Sequence, residues 1–132
     1  DHYSTARDLA VLTAYAMADP IFARTVGAKT ITVGERVLTN HNKLLWQLPG
    51  CEGVKTGYTR AAGRILVSSA SRDGRRLICV TINAPDDWND HTELLNYGFD
   101  NFEMVYTEML HLYGEYGKKA LDEIYNSGKC VS

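Results

Sequence analysis

A short run of residues, GVKTGYT at positions 53–59, holds the side chains best suited to chemistry. Lys55 can supply positive potential for a ligand carboxylate, and Thr56 adds a hydroxyl group next to it. Gly57 removes a side chain where another molecule could approach the backbone. If this run is the edge strand of a sheet, its main chain could pair with an extended ligand. An exposed lysine before a turn would give the same three letters, so the triplet alone leaves both interpretations open.

The histidines and aspartates outside this run have simpler interpretations. Neither His41 nor His91 accompanies a serine or cysteine in a catalytic pattern, so we interpret His41 as a loop residue and His91 as a residue in the first turn of a helix. Asp86, Asp87 and Asp90 lack the glycine and the distal glutamate of a calcium loop, which favours helix capping and solvation. We therefore expect neither a metal ion nor an organic cofactor.

Two helices are predicted in the first quarter of the chain. Residues 4–17 have helical periodicity, with Ser4 or Thr5 as the N-cap. The expected apolar face of this helix consists of Leu9, Leu12, Thr13, Ala16 and Met17. A second, short helix is expected to start at Asp19-Pro20, with aspartate as cap and proline in the first position, and to end near Gly27.

The remaining pattern predicts strands followed by helix. Residues 30–33 and 36–39 flank Gly34-Glu35 and favour a hairpin, and a short helical turn is expected at 43–47. Three consecutive antiparallel strands are predicted at 52–58, 65–71 and 77–83. Asp90 is expected to cap a helix whose inner face includes Leu94, Leu95 and Phe99. The predicted fold class is α+β, an antiparallel β-sheet with packed helices.

Composition limits the classes of partner. The chain has 132 residues, enough for one domain, and its 45% hydrophobic and 23% charged residues are ordinary for a globular protein. A formal net charge of −2 gives no electrostatic basis for binding nucleic acid. No apolar run approaches the ~20 residues of a transmembrane helix. Cys51, Cys79 and Cys130 lack metal-binding spacing and are interpreted as buried or free thiols.

The residues around the triplet resemble a known family. The stretches HYSTARDLA at 2–10, TNHNKLLW at 39–46 and the segment 50–102 resemble the serine D-alanyl-D-alanine carboxypeptidases, which are low-molecular-mass penicillin-binding proteins. In that family a Lys-Thr-Gly strand precedes T-x-x-A-G, here Thr59, Ala62 and Gly63. The resemblance implies the penicillin-binding protein and β-lactamase-like fold. It covers residues 1 to about 105, within an expected single domain of 132 residues whose helical tail, 106–132, has an unclear role.

The resemblance also implies roles for individual residues. Lys55 would supply positive potential and hydrogen bonds near the catalytic serine motifs. Thr56 would bind the terminal carboxylate of the substrate, and the backbone from Gly57 to Thr59 would pair with the peptide and help form the oxyanion hole. Tyr58 would line the mouth of the site or pack on the strand. Many relatives place an arginine near the carboxylate site, where this chain has Asp87. Binding of the substrate carboxylate could therefore depend on Arg60 or Arg64, although both are expected on the solvent side.

Two of the three sequence motifs of this superfamily are absent. None of the serines has a lysine three residues later, and no S-x-N or Y-x-N occurs. We therefore expect this chain to be the C-terminal, substrate-strand half of a catalytic domain, inactive alone. Its expected partners are peptidoglycan stem peptides, β-lactams, and either the missing N-terminal segment or a second copy. The resemblance implies an extracytoplasmic location in the cell envelope.

Two alternatives stay open at this point. A β-lactamase uses the same triplet but needs a deacylating glutamate on sequence that this chain does not contain. A non-catalytic peptidoglycan-binding or assembly module would keep the strand and lack a nucleophile.

Overall fold

The computed structural model describes residues 3–103, which contain four helices and two antiparallel sheets. The helices are α1 (Ala6–Ala16), α2 (Pro20–Gly27), α3 (Leu44–Gln47) and α4 (Asp87–Asn101). The strands are β1 (Thr30–Val33), β2 (Arg36–Thr39), β3 (Cys51–Thr59), β4 (Gly63–Arg72) and β5 (Arg75–Ile82). This arrangement confirms the predicted α+β class.

The chain divides into two compact units. The first is Asp1–Asn96, which holds every described strand. In the second, Tyr97–Ser132, the described part is residues 97–103, where the rings of Tyr97 and Phe102 meet edge to face at 5.9 Å between centroids. The helical tail predicted at 106–132 lies outside the described residues, and the single domain stays a prediction.

The first two helices begin at side-chain caps, as their sequences predict. The hydroxyl of Thr5 accepts a hydrogen bond from the Asp8 N–H at 3.1 Å, so Thr5 caps α1. One carboxylate oxygen of Asp19 accepts hydrogen bonds from the N–H groups of Ile21 and Phe22 at 2.7 and 3.1 Å. A cap of this kind is worth about 1 kcal/mol. Together the caps fix where α1 and α2 start relative to the sheet.

The sheets have the expected order. The strands β1 and β2 form a hairpin, and β3, β4 and β5 form an antiparallel meander with β4 in the centre. At the β4–β5 turn, Asp73 and Gly74 have φ angles of 50° and 75°, which the two-residue hairpin turn requires at both positions. This Asp-Gly pair therefore sets the register between β4 and β5.

Helices α1 and α2 cover one face of the meander. Met17, directly after α1, packs with Val54 of β3 and Val67 of β4, and all three are buried. Partly buried side chains surround this cluster: Leu9, Phe22, Ala23, Val26 and Val80. Leu12 does not join it, because 61% of its surface is exposed, contrary to the predicted apolar face of α1.

Helix α4 lies on the opposite face and starts earlier than predicted. It begins at Asp87, because the Asp86 carbonyl already accepts the N–H of Asp90 at 3.0 Å. Asp90 is thus inside the first turn and is not the cap, and His91 lies beyond the first turn. Leu95 is buried at 2% exposure, whereas Leu94 is 53% exposed, so the prediction that both face inward is wrong for Leu94.

His91 joins α4 to the meander. Its side chain is fully buried, with Nδ1 at 2.7 Å from the Ser68 hydroxyl of β4 and Nε2 at 3.0 Å from the Thr81 hydroxyl of β5. Burial lowers the pKa of His91 to about 4, against a weaker opposing effect of the Asp87 charge. The neutral imidazole is therefore part of the native packing.

This burial predicts a loss of stability in acid. Between pH 6.5, the ordinary histidine pKa, and about 4, the unfolded chain binds a proton that the folded chain excludes. The free energy of unfolding should thus fall as the pH drops through this window, by roughly 3 kcal/mol from His91 alone. Urea denaturation of the protein and of His91→Gln from pH 8 to pH 4 measures this contribution. Parallel stability curves for the two proteins would contradict it.

Cys79 is buried on the same face, as the alternation in β5 predicts. It is 9% exposed and lies opposite Ser68 in the sheet register. Burial raises the pKa of its thiol to about 11, so the thiolate is scarce at neutral pH and Cys79 serves packing.

Candidate functional site

The Lys-Thr-Gly triplet lies in the middle of β3, at the edge of the meander. Within residues 3–103, β3 pairs only with β4, so its other edge carries unpaired backbone N–H and C=O groups. Lys55 and Gly57 lie opposite Val67 and Ile65 in the register. An extended ligand could therefore add to the sheet along this edge.

Gly57 is not explained by its own surroundings. At Gly63, by contrast, φ is +69° and an added Cβ would lie 2.2 Å from the Asn83 side-chain oxygen, so the turn requires glycine. An added Cβ at Gly57 would meet only Ile65, at 3.8 Å, which is an ordinary contact. Packing within the described chain thus leaves room for a side chain at position 57. The glycine therefore indicates that another molecule approaches the β3 backbone at this position.

The other predicted site residues follow the strand. Lys55 is exposed and its ammonium donates to the carbonyl of Thr56, while Thr56 is half-buried. Tyr58 is 70% exposed. The Thr59 hydroxyl accepts the Ala62 N–H at 3.0 Å and so shapes the turn into β4. The structure brings these five residues together on one edge, and their roles toward a substrate stay predictions.

A large groove lies on the α1 side of β3. We call it the apolar groove; its volume is about 580 Å³. Its walls come from the start and inner face of α1, from Phe22, and from β3 and β4: Tyr3, Ser4, Leu9, Leu12, Thr13, Ala16, Phe22, Val54, Lys55, Thr56, Gly57, Ile65 and Val67. Lys55 is the charged residue in this wall. An apolar surface of this extent beside a lysine is suited to contact another polypeptide segment.

A smaller groove of about 300 Å³ lies on the α4 side of the same strand. We call it the polar groove; it is lined by His41, Thr56, Gly57, Tyr58, Arg64, Asp87 and Trp88. Thr56 and Gly57 border both grooves. The edge of β3 is therefore a wall between two cavities of different character.

Arg64 is fixed in the wall of the polar groove. Its Nη2 donates to the Asp87 carboxylate at 2.8 Å, and its guanidinium carbon lies 5.9 Å from the centre of the Trp88 ring. The Asp87 side chain is 4% exposed and that of Arg64 is 42% exposed. The expectation that Arg64 lies on the solvent side is therefore only half right, whereas Arg60 is exposed.

Sequence reasoning missed the contributions of His41 and Trp88 to this groove, and its interpretation of Asp87 as a solvated residue is wrong, because Asp87 is 3% exposed. The sequence did hold a signal for the two residues that begin α4. Because β5 runs antiparallel to β4, the end of β5 must lie beside the start of β4. The residues that follow β5 therefore reach Arg64. His41 carried no such signal, since the loop before α3 approaches β3 only through tertiary packing.

Ser68 and His91 have the geometry of a nucleophile and its base, but both side chains are fully buried. No substrate can reach the Ser68 hydroxyl, so the pair is structural. Within residues 3–103, no three His, Cys, Asp or Glu side chains converge to hold a metal ion.

Comparison with known proteins gives a consistent family. The profile of the family described as D-alanyl-D-alanine carboxypeptidase (peptidase S11) matches residues 1–86. The chain is 37% identical over 106 residues to D-alanyl-D-alanine carboxypeptidase DacB2 of Mycobacterium tuberculosis, covering 73% of this chain and 36% of that protein. It is 38% identical over 108 residues to DacC of Escherichia coli, covering 78% of this chain and 27% of that protein.

Solved structures give the same result. A Streptomyces K15 DD-transpeptidase mutant superposes with a TM-score of 0.70 at 33% identity, covering 76% of this chain and 44% of that one. Penicillin-binding protein D2 of Listeria monocytogenes, solved with cefotaxime bound, gives 0.69 at 31% identity, covering 73% and 41%. The chain thus spans about a third of the length of the curated relatives it matches, and by sequence and fold it belongs to the D-alanyl-D-alanine carboxypeptidase family S11.

Proposed function

We propose that this chain is the substrate-strand half of a serine D-alanyl-D-alanine carboxypeptidase, which removes the terminal D-alanine from peptidoglycan stem peptides. The observation that carries the proposal is the open edge of β3, where Gly57 leaves space that no described residue needs. A peptide paired along this edge would place its reacting carbonyl near the β3 backbone, and Lys55 would supply positive charge beside it. Family membership supports the reaction class.

In this proposal each residue of the triplet has a separate task. The ammonium of Lys55 stabilises negative charge in the transition state. The Thr56 hydroxyl binds the terminal carboxylate, and residues 57–59 present main-chain hydrogen-bonding groups to the peptide. Tyr58, at 70% exposure, borders the entrance. β-lactams would bind at the same edge, and the existence of a cefotaxime-bound structural relative supports β-lactam binding as such.

We further propose that the nucleophile belongs to a segment of the whole protein outside this sequence, and that this segment covers the apolar groove. The groove borders Lys55, so a serine carried there would lie within reach of the β3 edge. Val11, Leu12 and Tyr15 on α1 are 63%, 61% and 84% exposed, whereas the solvent-facing side of a surface helix usually carries polar residues. Because peptidoglycan is part of the cell envelope, the proposed substrate would place the protein outside the cytoplasm, in the envelope.

The membrane attachment of the protein is a separate question. Among residues 3–103, no single helix has the length and apolar composition to cross a bilayer. Helices α1 and α2 reach that length and composition only when they are taken together, and the pair is bent by 113°.

Substituting Gly57 by alanine tests the proposed edge. In the full-length protein, Gly57→Ala should keep or slightly raise stability, because the Cβ fits and glycine in a strand costs about 0.5–1 kcal/mol. Acylation by penicillin should fall at least about tenfold, because the new methyl group lies where the ligand backbone approaches. Gly63→Ala is the matched control, since it should lower the melting temperature strongly through its clash with Asn83. An unchanged acylation rate in Gly57→Ala would remove the basis for ligand pairing at this edge.

A further inference from the structure

An extended peptide on the β3 edge would face two different grooves. Paired residues of β3 and β4 share a face of the sheet, so Lys55 and Gly57 lie with Val67 and Ile65, whereas Thr56 and Tyr58 lie with Leu66 and Arg64. Lys55, Ile65 and Val67 line the apolar groove, Tyr58 and Arg64 line the polar groove, and Thr56 and Gly57 border both. Because side chains alternate along a strand, successive residues of a paired ligand would enter the two grooves in turn.

The polar groove has one well-oriented donor group. Arg64 carries several N–H donors: Nη2 bonds to Asp87, and Nε is buried without a hydrogen-bond partner among residues 3–103, so the exposed N–H groups at the end of the guanidinium are the ones that a ligand can reach. Asp87 is almost fully buried, and its hydrogen bond and charge raise the pKa of Arg64. Because the side chain of Arg64 is 42% exposed and that of Asp87 is 4% exposed, a ligand in the groove meets mainly the guanidinium.

The guanidinium of Arg64 also lies over the ring of Trp88. Arg64 lies 5.9 Å and Lys43 lies 6.0 Å from the centre of the ring, so two cations contact one indole. Arg64 is also restrained by Asp87, so little side-chain freedom is lost when it binds an anion.

Resting on the proposed function, we propose that Arg64 is a specificity residue that binds a carboxylate on the ligand. The carboxylate belongs to a residue whose side chain faces α4, and the residues next to it face the apolar groove. Asp87 and Trp88 act as positioning residues for the guanidinium. The site therefore selects peptides with an acidic group on alternate positions upstream of the cleaved bond.

The test uses the full-length protein and synthetic peptides that end in D-alanyl-D-alanine. Glutamate and glutamine are compared at each of the three positions before that pair. Wild type should prefer glutamate, by about tenfold in kcat/KM, only at the alternate positions whose side chains face the polar groove. Arg64→Gln should abolish this preference, so that the glutamate and glutamine peptides are cleaved with similar kcat/KM, while Arg60→Gln, an exposed arginine in the adjoining turn, should retain it.

The double variant Arg64→Gln/Asp87→Asn removes the pair without leaving a buried charge, and it should lose the same preference while folding normally. If Arg64→Gln and the double variant both keep the glutamate preference while cleaving the peptides, the inference is wrong and the proposed function stands. If wild type cleaves none of the peptides and is not acylated by penicillin, the proposed function fails and this inference fails with it.

Discussion

Lys55→Ala in the full-length protein is expected to slow acylation by penicillin about 10²–10³-fold, because one charged or hydrogen-bonding group in such a site contributes ~2.7–4 kcal/mol to the transition state. Lys55 is exposed and lies outside the buried cluster of Met17, Val54 and Val67. The substitution should therefore leave the melting temperature unchanged. Stopped-flow or gel-based measurement of the acylation rate with a fluorescent penicillin gives the result directly.

A matched lysine on the same chain provides the control. Lys29 is also exposed, and its ammonium lies 5.9 Å from the centre of the Trp46 ring, away from both grooves. The Lys29→Ala variant should be acylated by penicillin at the wild-type rate. Equal rates for wild type and Lys55→Ala would show that the charge at position 55 has no part in the reaction.

A chain of residues 1–132 on its own is expected to form no adduct with penicillin and to release no D-alanine from a stem peptide. The physical reason is that the sequence has no serine followed by lysine three residues later, and the buried Ser68 cannot reach a ligand. Intact-mass spectrometry after incubation with penicillin measures the adduct, with the full-length protein as positive control. A stoichiometric adduct on residues 1–132 would refute the proposed division of the site.

The same sample should self-associate. Without the proposed covering segment, the apolar groove and the exposed face of α1 are open to water, and such surfaces favour association. Sedimentation velocity at micromolar concentration should show dimers or larger species. A compact monomer would argue against the proposed cover of the groove.

Local sequence signals predicted much of the fold. Asp19-Pro20 specified the start of α2, and the short gap between the strands predicted at 65–71 and 77–83 holds the Asp73-Gly74 turn, because each feature depends on backbone geometry within a few residues. The start of α4 was misplaced because several aspartates in sequence can each serve as a cap, and only the hydrogen bonds to the Asp86 carbonyl decide among them.

Which side chains face the core could be predicted less well. Leu94 and Leu95 project about 100° apart around the axis of α4, and periodicity alone did not distinguish the buried Leu95 from the exposed Leu94. The Arg64–Asp87 pair joins residues 23 positions apart, and its formation depends on the start of α4 lying beside the start of β4. The triplet itself was visible in the sequence, but its place between two grooves required the tertiary structure.

The open edge of β3 has a consequence for how such a site can change over generations. Under the proposed function, residues 57–59 bind through main-chain groups that every amino acid except proline shares. Substitutions at Tyr58 or Thr59 would then alter the rim while leaving the recognition pattern in place. The drug and the natural peptide would both pair with the same main-chain groups of β3. Under antibiotic selection, few single replacements along this strand would therefore weaken binding of the drug and still allow binding of the peptide.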